Sequence, residues 1–323
     1  MNNEEGLFIS WVKHHGRSQD LALALGMLPV FIEGGAGPLP IRYAIQSIKT
    51  IRMVLEKRPP VMAIMLPPLP LLIVVKLFFR GRLIVDLHSG VFLDPKWKWA
   101  LVPTLRLIGR KAIAIVTNSA LQSVCQTHDV KAIALHDLIS SPTGSSIKTR
   151  DRTFPSFILT PLSYANDEPV DEILGAAALD PSLNWVLTGK APEVVKMKAT
   201  DNVTFSGYVT DSGYADLLQD CAIVVALTDR PHTMQRGGYE AMIYGKPLVT
   251  SEFPELQRFF GDAAMYVPTT ATGILGGVRA ATTSAEETSK LMRQLQVKHV
   301  ADQKESVASL IRWVKELSEV HRP

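Results

Sequence analysis

Cysteine is scarce in this chain of 323 residues: Cys125 and Cys221 are the only two, far apart and outside any C-x-x-C spacing. That excludes a disulfide framework and a cysteine-ligated metal, and it points to a reducing compartment. An unbroken apolar run long enough to span a bilayer is also missing. The longest stretch, Val61 to Phe79, is interrupted by Pro67, Pro68 and Pro70 and carries Lys76. Its punctuation predicts a buried strand over Val61–Leu66, a proline turn, and a buried helix from Leu69. The opening MNNEEGLFISWVKHH is acidic, and its apolar run is too short for a secretory signal. A cytoplasmic protein is the expectation.

Several chemical signatures are absent as well. LTGKAP and YGKPL contain Gly-Lys but lack the upstream glycine and the following Ser or Thr of a phosphate-cradling P-loop. No G-x-S-x-G, H-E-x-x-H or D-x-D occurs, so a serine-hydrolase elbow and metal-held substrates lose their usual carriers. The histidines are scattered, and neither a metal nor a cofactor is expected. FIEGGAGPLP follows a strand, yet Pro40 occupies the third glycine position counted from Gly35, which weakens it as an NAD fingerprint. Nucleic acid is not an expected partner.

What the chain does have is a regular alternation of apolar runs with helix-like stretches, which implies parallel sheets wrapped on both faces. Residues 140–153, SSPTGSSIKTRDRT, are polar and rich in Ser, Pro and Gly, as linkers are. The expected division is therefore 1–150 and 151–300, two α/β domains whose sheets face a cleft, with a C-terminal helix over 301–323 at their junction. Val307, Leu310, Ile311 and Val314 fall on one face of that helix. Charge divides too. Residues 1–150 hold 18 Lys and Arg against 9 Asp and Glu, and the remainder 16 against 22, so the halves carry +9 and −6. The first half suits an anionic neighbour, although solvated charge explains it equally well.

The segment HTMQRGGYEAMIYGKPLVTSEFPEL, His232 to Leu256, concentrates the chemistry. The strand-like CAIVVALT leads through a loop into a helix whose first turn holds Gly237 and Gly238. Small residues at a helix start let a phosphate approach free N–H groups at a positive dipole end. Arg230 and Arg236 add charged donors, and the Glu240 carboxylate can accept two hydrogen bonds from a vicinal diol such as a ribose. Phosphate and ribose one turn apart describe a nucleoside diphosphate. The alternative makes the glycines a close-packing site and Glu240 the i, i+4 partner of Arg236.

GGYEAMIYGKPLVTSEFPEL resembles the donor-site signature of GT-B glycosyltransferases, especially the retaining family 4. NVTFSGYVTDSGYADLLQDCAIVVAL and NWVLTGK extend the likeness over residues 183–268. The resemblance implies a metal-free transfer from a UDP- or GDP-type sugar. It puts Glu240 on the ribose, Gly237 and Gly238 against the diphosphate, Tyr208 and Val209 at the nucleobase, and Lys190 near the phosphates. It implies His88, ending VDLHSG, beside the transferred sugar, and Gly16, in KHHGR, against the donor. The chain departs from the family where His232 takes the place of the first of two glutamates. It departs again after the second domain's first strand, where the usual Arg and Lys are missing. Trp97 and Trp99, interleaved with Lys96 and Lys98, suit either an anionic membrane surface or a core. They suggest a saccharide or lipid-linked acceptor of cell-surface polysaccharide synthesis and peripheral membrane contact. A nucleotide-sugar epimerase and a silent nucleotide-sugar-binding subunit remain as alternatives.

Overall fold

The computed structural model describes residues 6–139 and 156–319. They form two compact units, Met1–Leu138 with Ala301–Pro323 and Ile139–Val300. The linker expected over residues 140–153 lies outside the described residues.

The first unit runs β1 (Gly6–Ser10), α1 (Gly16–Ala24), β2 (Met27–Phe31), α2 (Leu39–Lys57), β3 (Val61–Leu66), α3 (Leu69–Phe78) and β4 (Arg82–Leu87). It continues through α4 (Ser89–Leu93), α5 (Pro95–Lys98), α6 (Leu101–Ile108), β5 (Ile113–Val116), α7 (Ser119–Gln126) and β6 (Lys131–Ala134). Its six strands are ordered β2-β1-β3-β4-β5-β6, all parallel. Leu7, Ile9, Met62, Ile64 and Val85 point to one face, against α2, α3, α6 and α7. Phe8, Ala63, Ile84 and Ile115 point to the other, against Leu21 and Ala22 of α1. This double burial is why β3 and β5 read as continuous apolar runs rather than alternating ones.

The second unit runs β7 (Phe157–Thr160), α8 (Val170–Leu179), β8 (Asn184–Thr188), α9 (Glu193–Lys196), β9 (Val203–Gly207), α10 (Asp211–Asp220) and β10 (Ile223–Ala226). There follow α11 (Arg236–Ile243), β11 (Leu248–Ser251), α12 (Pro254–Phe260), β12 (Ala264–Val267), α13 (Ala271–Thr283) and α14 (Ala285–Glu319). Its parallel sheet is ordered β12-β11-β10-β7-β8-β9. α8 and α13 cover one face, and α10, α11 and α12 the other. Helix α14 belongs to both units: Met292 joins the second unit's core, whereas Leu310, with Val307 and Val314, joins the first's. Near that end Arg82 donates to the carbonyls of Trp313 and Val314 and lies 5.8 Å from the Trp313 ring.

The strand over Val61–Leu66 and the helix from Leu69 fall where the proline punctuation puts them. Elements without a counterpart in the sequence reading include β6, α13 and the short helices α4, α5, α6, α9 and α12. β6 is four residues beginning with an exposed lysine, too short and too alanine-rich to announce itself.

In each sheet, chain order reverses at one place, between β1 and β3 and between β7 and β10. Loops diverge there at the carboxyl ends, which is where open sheets of this kind leave a crevice. The loops after β7 and β8 are pressed together at Gly189. Its φ is +82°, and a Cβ there would stand 2.1 Å from the Leu162 carbonyl oxygen. Gly189→Ala is therefore expected to cost about 1–3 kcal/mol or more, combining left-handed strain with a backbone clash. An unchanged urea midpoint would show that the loop relaxes at no cost.

Candidate functional site

In the second unit the reversal point brings together the loops after β7 and β10. The Thr228 hydroxyl donates to Asp167 Oδ2 at 3.1 Å, the Asp229 N–H donates to the Asp167 carbonyl at 2.8 Å, and Arg230 reaches Asn166 Oδ1 at 3.1 Å. These bonds hold the entry to α11. The helix has no side-chain cap at Gln235; the Gln235 carbonyl accepts from the Gly238 N–H at 3.0 Å, and no Gln235 side-chain bond answers the other first N–H groups.

Gly237 and Gly238 are buried. A Cβ on the first would meet Pro161 Cγ at 3.1 Å and Ala226 Cβ at 3.2 Å, and on the second Phe260 Cζ at 3.0 Å. Close packing against β10 and α12 thus accounts for the absent side chains, while the backbone remains at the helix start. One turn on, Glu240 is 15% exposed and doubly held: Arg236 Nε donates to Oε1 at 3.1 Å and the Tyr214 hydroxyl donates to Oε2. Burial and the adjacent Glu240 charge push the Tyr214 hydroxyl far above its ordinary pKa, so it is a permanent donor. Tyr214 sits on α10, whose last carbonyls, Gln219 and Cys221, accept from Lys246 Nζ at 2.6 and 2.9 Å. Lys246 therefore serves as the C-terminal cation of α10.

His232 adopts φ +56°. Its N–H donates to the carboxylate of Glu255, a 5% exposed residue in the first turn of α12, and its Nδ1 stands 3.8 Å from Glu255 Oε1. Of the remaining expected residues, Lys190 is exposed after β8, Tyr208 is 89% exposed after β9, and Val209 beside it is half-buried. All follow carboxyl ends of strands in the same sheet.

The first unit holds a second cluster. Gly16 opens α1, and His15 caps it by accepting from the Ser18 N–H at 3.3 Å. Arg17, 3% exposed, donates to both oxygens of the fully buried Asp86, to Asp137 Oδ1 at 2.9 Å and to the Leu135 carbonyl at 2.8 Å. On its other side Asp86 bonds His88 Nε2 at 2.9 Å, and the rings of His88 and His15 meet edge-on at 4.8 Å. Burial pushes the Asp86 carboxyl up, but Arg17 and His88 outweigh it and hold the group below its ordinary value. Burial, reinforced by His88, lowers His15 to about 4. Among the described residues no three His, Cys, Asp or Glu side chains gather as metal ligands would.

No protein-family model matches the chain, and no curated protein matches it. Solved structures do. The chain aligns with Anabaena HepE in complex with UDP and glucose at TM-score 0.68 and 14% identity, covering 98% of this chain and 99% of that one. Sucrose-phosphate synthase from Thermosynechococcus elongatus gives TM-score 0.75 at 12% identity, over 98% and 100%. A Listeria monocytogenes protein described as a UDP-N-acetylglucosamine 2-epimerase gives 0.64 at 7%, over 99% and 98%.

The fold is GT-B.

Identities this low establish architecture rather than chemistry. Within this GT-B chain, sequence reading named Glu240, the glycine pair, Arg236, Arg230, His232, Lys190, Tyr208, Val209, Gly16 and His88. It left out Arg17, His15, Asp137, Tyr214, Asp167 and Glu255. Asp86, two residues before His88 and within β4, was the one available signal for the first-unit cluster.

The lowered pKa of His15 carries a pH consequence. The unfolded chain takes up the proton near the ordinary value of 6.5, whereas the folded chain resists it to about 4. This contribution to stability is thus complete above 6.5 and is lost as pH falls from 6.5 toward 4. His15→Asn keeps a capping acceptor without a titrating ring and should flatten that loss in denaturant unfolding. Equal slopes in both proteins would exclude His15 as the cause.

Proposed function

We propose that the protein is a glycosyltransferase that moves a sugar from a nucleoside-diphosphate sugar, of UDP or GDP type, to a saccharide or lipid-linked acceptor. The observation that carries this is Glu240 one turn inside a helix start that lacks a side-chain cap, at the reversal point of a parallel sheet. In this reading the start of α11 at Gly237 and Gly238, with Arg230, Arg236 and Lys190, stabilises the departing diphosphate without a metal. Glu240 keeps one bond to Tyr214, and its spare lone pairs accept the ribose hydroxyls. Tyr208 and Val209 border the nucleobase. His88 and Gly16 lie at the sugar, as the family resemblance implies, and His232, pinned to Glu255, takes the position of the family's first glutamate.

Support for an acceptor at a membrane comes from the first unit's surface. Ile41, Ile48 and Leu55 form an exposed stripe on α2 beside Arg42, Lys49 and Arg52, and Trp99 is 70% exposed. Apolar side chains flanked by basic ones suit an anionic, peripherally bound bilayer. Among the described residues no helix is long and apolar enough to cross one. A second reading, a nucleotide-sugar epimerase, draws on the Listeria likeness and on the imidazole–carboxylate cluster at His15, Asp86 and His88.

A panel of UDP, GDP, TDP and ADP should give a thermal shift with one base. At a hundred times Kd this corresponds to about 2.7 kcal/mol, and Glu240→Ala should abolish it. No shift with any of the four sinks the donor site. With the cognate sugar nucleotide, slow hydrolysis or transfer to lipid extract supports the transferase, epimer formation without acceptor supports the second reading, and binding alone indicates a silent subunit. Sedimentation with phosphatidylglycerol vesicles should exceed that with phosphatidylcholine and weaken with salt; indifference to anionic lipid removes the membrane from the proposal.

A further inference from the structure

Asp86 lies within β4, in register with Met65 on one neighbour strand and Ile115 on the other, and is fully buried. A carboxylate in such a row loses its hydration, and a buried ion pair is often no more stabilising than well-packed apolar residues of the same size. Stability therefore does not explain why a charge stands here. Its bonding pattern does. Arg17 occupies the buried side with donors at 3.0, 3.2 and 3.3 Å and is itself fixed by Asp137 and the Leu135 carbonyl. The remaining contact of the carboxylate is His88 Nε2 at 2.9 Å.

We propose that Asp86 is a positioning residue for His88: locked by Arg17, its carboxylate accepts the hydrogen bond from Nε2–H and leaves Nδ1 as the ring nitrogen that acts on substrate. An ionised carboxylate only accepts, so the proton on this bond must come from the imidazole. A neutral His88 is thereby the Nε2–H tautomer, with Nδ1 a bare acceptor. The second charged or titratable neighbour is His15. Its Nδ1 already accepts from the Ser18 N–H, and burial keeps it neutral, so it packs edge-on against His88 at 4.8 Å without competing for Asp86. Arg17 and Asp137 act from behind Asp86. The arrangement gives the pair a purpose that packing does not, namely holding one imidazole in one tautomer and one orientation. The inference rests on the reading that His88 lies beside the donor sugar.

The test uses the full chain labelled with 15N-histidine, the His88 signals being those absent from His88→Gln. Above the histidine titration range, two-bond proton–nitrogen correlations should show Nε2 protonated and Nδ1 bare; the opposite tautomer, or an even mixture, overturns the proposal. Asp86→Asn should mix the tautomers and lower kcat for donor hydrolysis by about tenfold or more, with KM little changed. A loss of rate that tracks only the folded fraction, with the tautomer unmoved, makes the pair structural and also overturns it. If Asp86→Asn does not fold, the wild-type spectrum still decides. A chain that binds no nucleoside diphosphate sinks the function proposed above, and the tautomer is read independently of that outcome.

Discussion

A parallel sheet must be closed by crossovers that return over its faces, and helices over both faces leave no wet side. The central strands β1, β3, β5, β10 and β11 are buried along their whole length, and the consequence is where polar chemistry can surface. Side chains that need water, ligands or one another are pushed to the strand ends, where the loops diverge. In the second unit, the loop that enters α11, the exposed Lys190 and Tyr208, and the Asp167 bonds are all gathered at carboxyl ends for this reason. The exception is Asp86, inside a strand, and the chain answers it with a guanidinium nearly as buried as itself.

The two units treat their central carboxylates differently. Asp86 is sealed, its charge neutralised from one side by Arg17 and spent on one imidazole at the other. Glu240 is left partly open, held by a phenol that does not ionise and by an arginine that is 61% exposed. A sealed carboxylate orients a neighbour, whereas an open one with spare lone pairs can receive a ligand. Support for the open site is indirect: Lys246 caps α10, and α10 carries Tyr214 to Glu240. Lys246, in the Gly-Lys of YGKPL, therefore acts at a helix end.

The glycine pair shows how one sequence feature can satisfy two demands. Pro161, Ala226 and Phe260 crowd the space a Cβ would need, so packing favours glycine whether or not a ligand binds. The same close approach sets the start of α11 against β10 and the loop after β7, which brings its first N–H groups to the reversal point. Packing accounts for the pair in the structure, and ligand access belongs to the proposed donor site. His232 is a parallel case: its backbone is left-handed, and its N–H donates to Glu255, a buried acid of α12.

Much of the fold was legible because local signals agreed. The prolines after Leu66, the glycine past Tyr244 and the long apolar runs marked β3, α3, α11 and β11 where they stand. β6 escaped because four residues with an exposed lysine carry little pattern, and the tie from Arg17 to Asp86 escaped because it joins residues 69 positions apart. Glu240, the glycines and Arg236 of α11 could be named from spacing alone, since a helix repeats every 3.6 residues. Tyr214, Glu255 and Arg17 could not, because sequence distance says nothing about which loops a sheet order makes adjacent. The sequence by itself determined most of the elements, the double burial of the central strands and the glycine-bearing start of α11. Only the tertiary structure decided which acid is open and which is sealed, because that depends on contacts between strands whose order the chain does not follow.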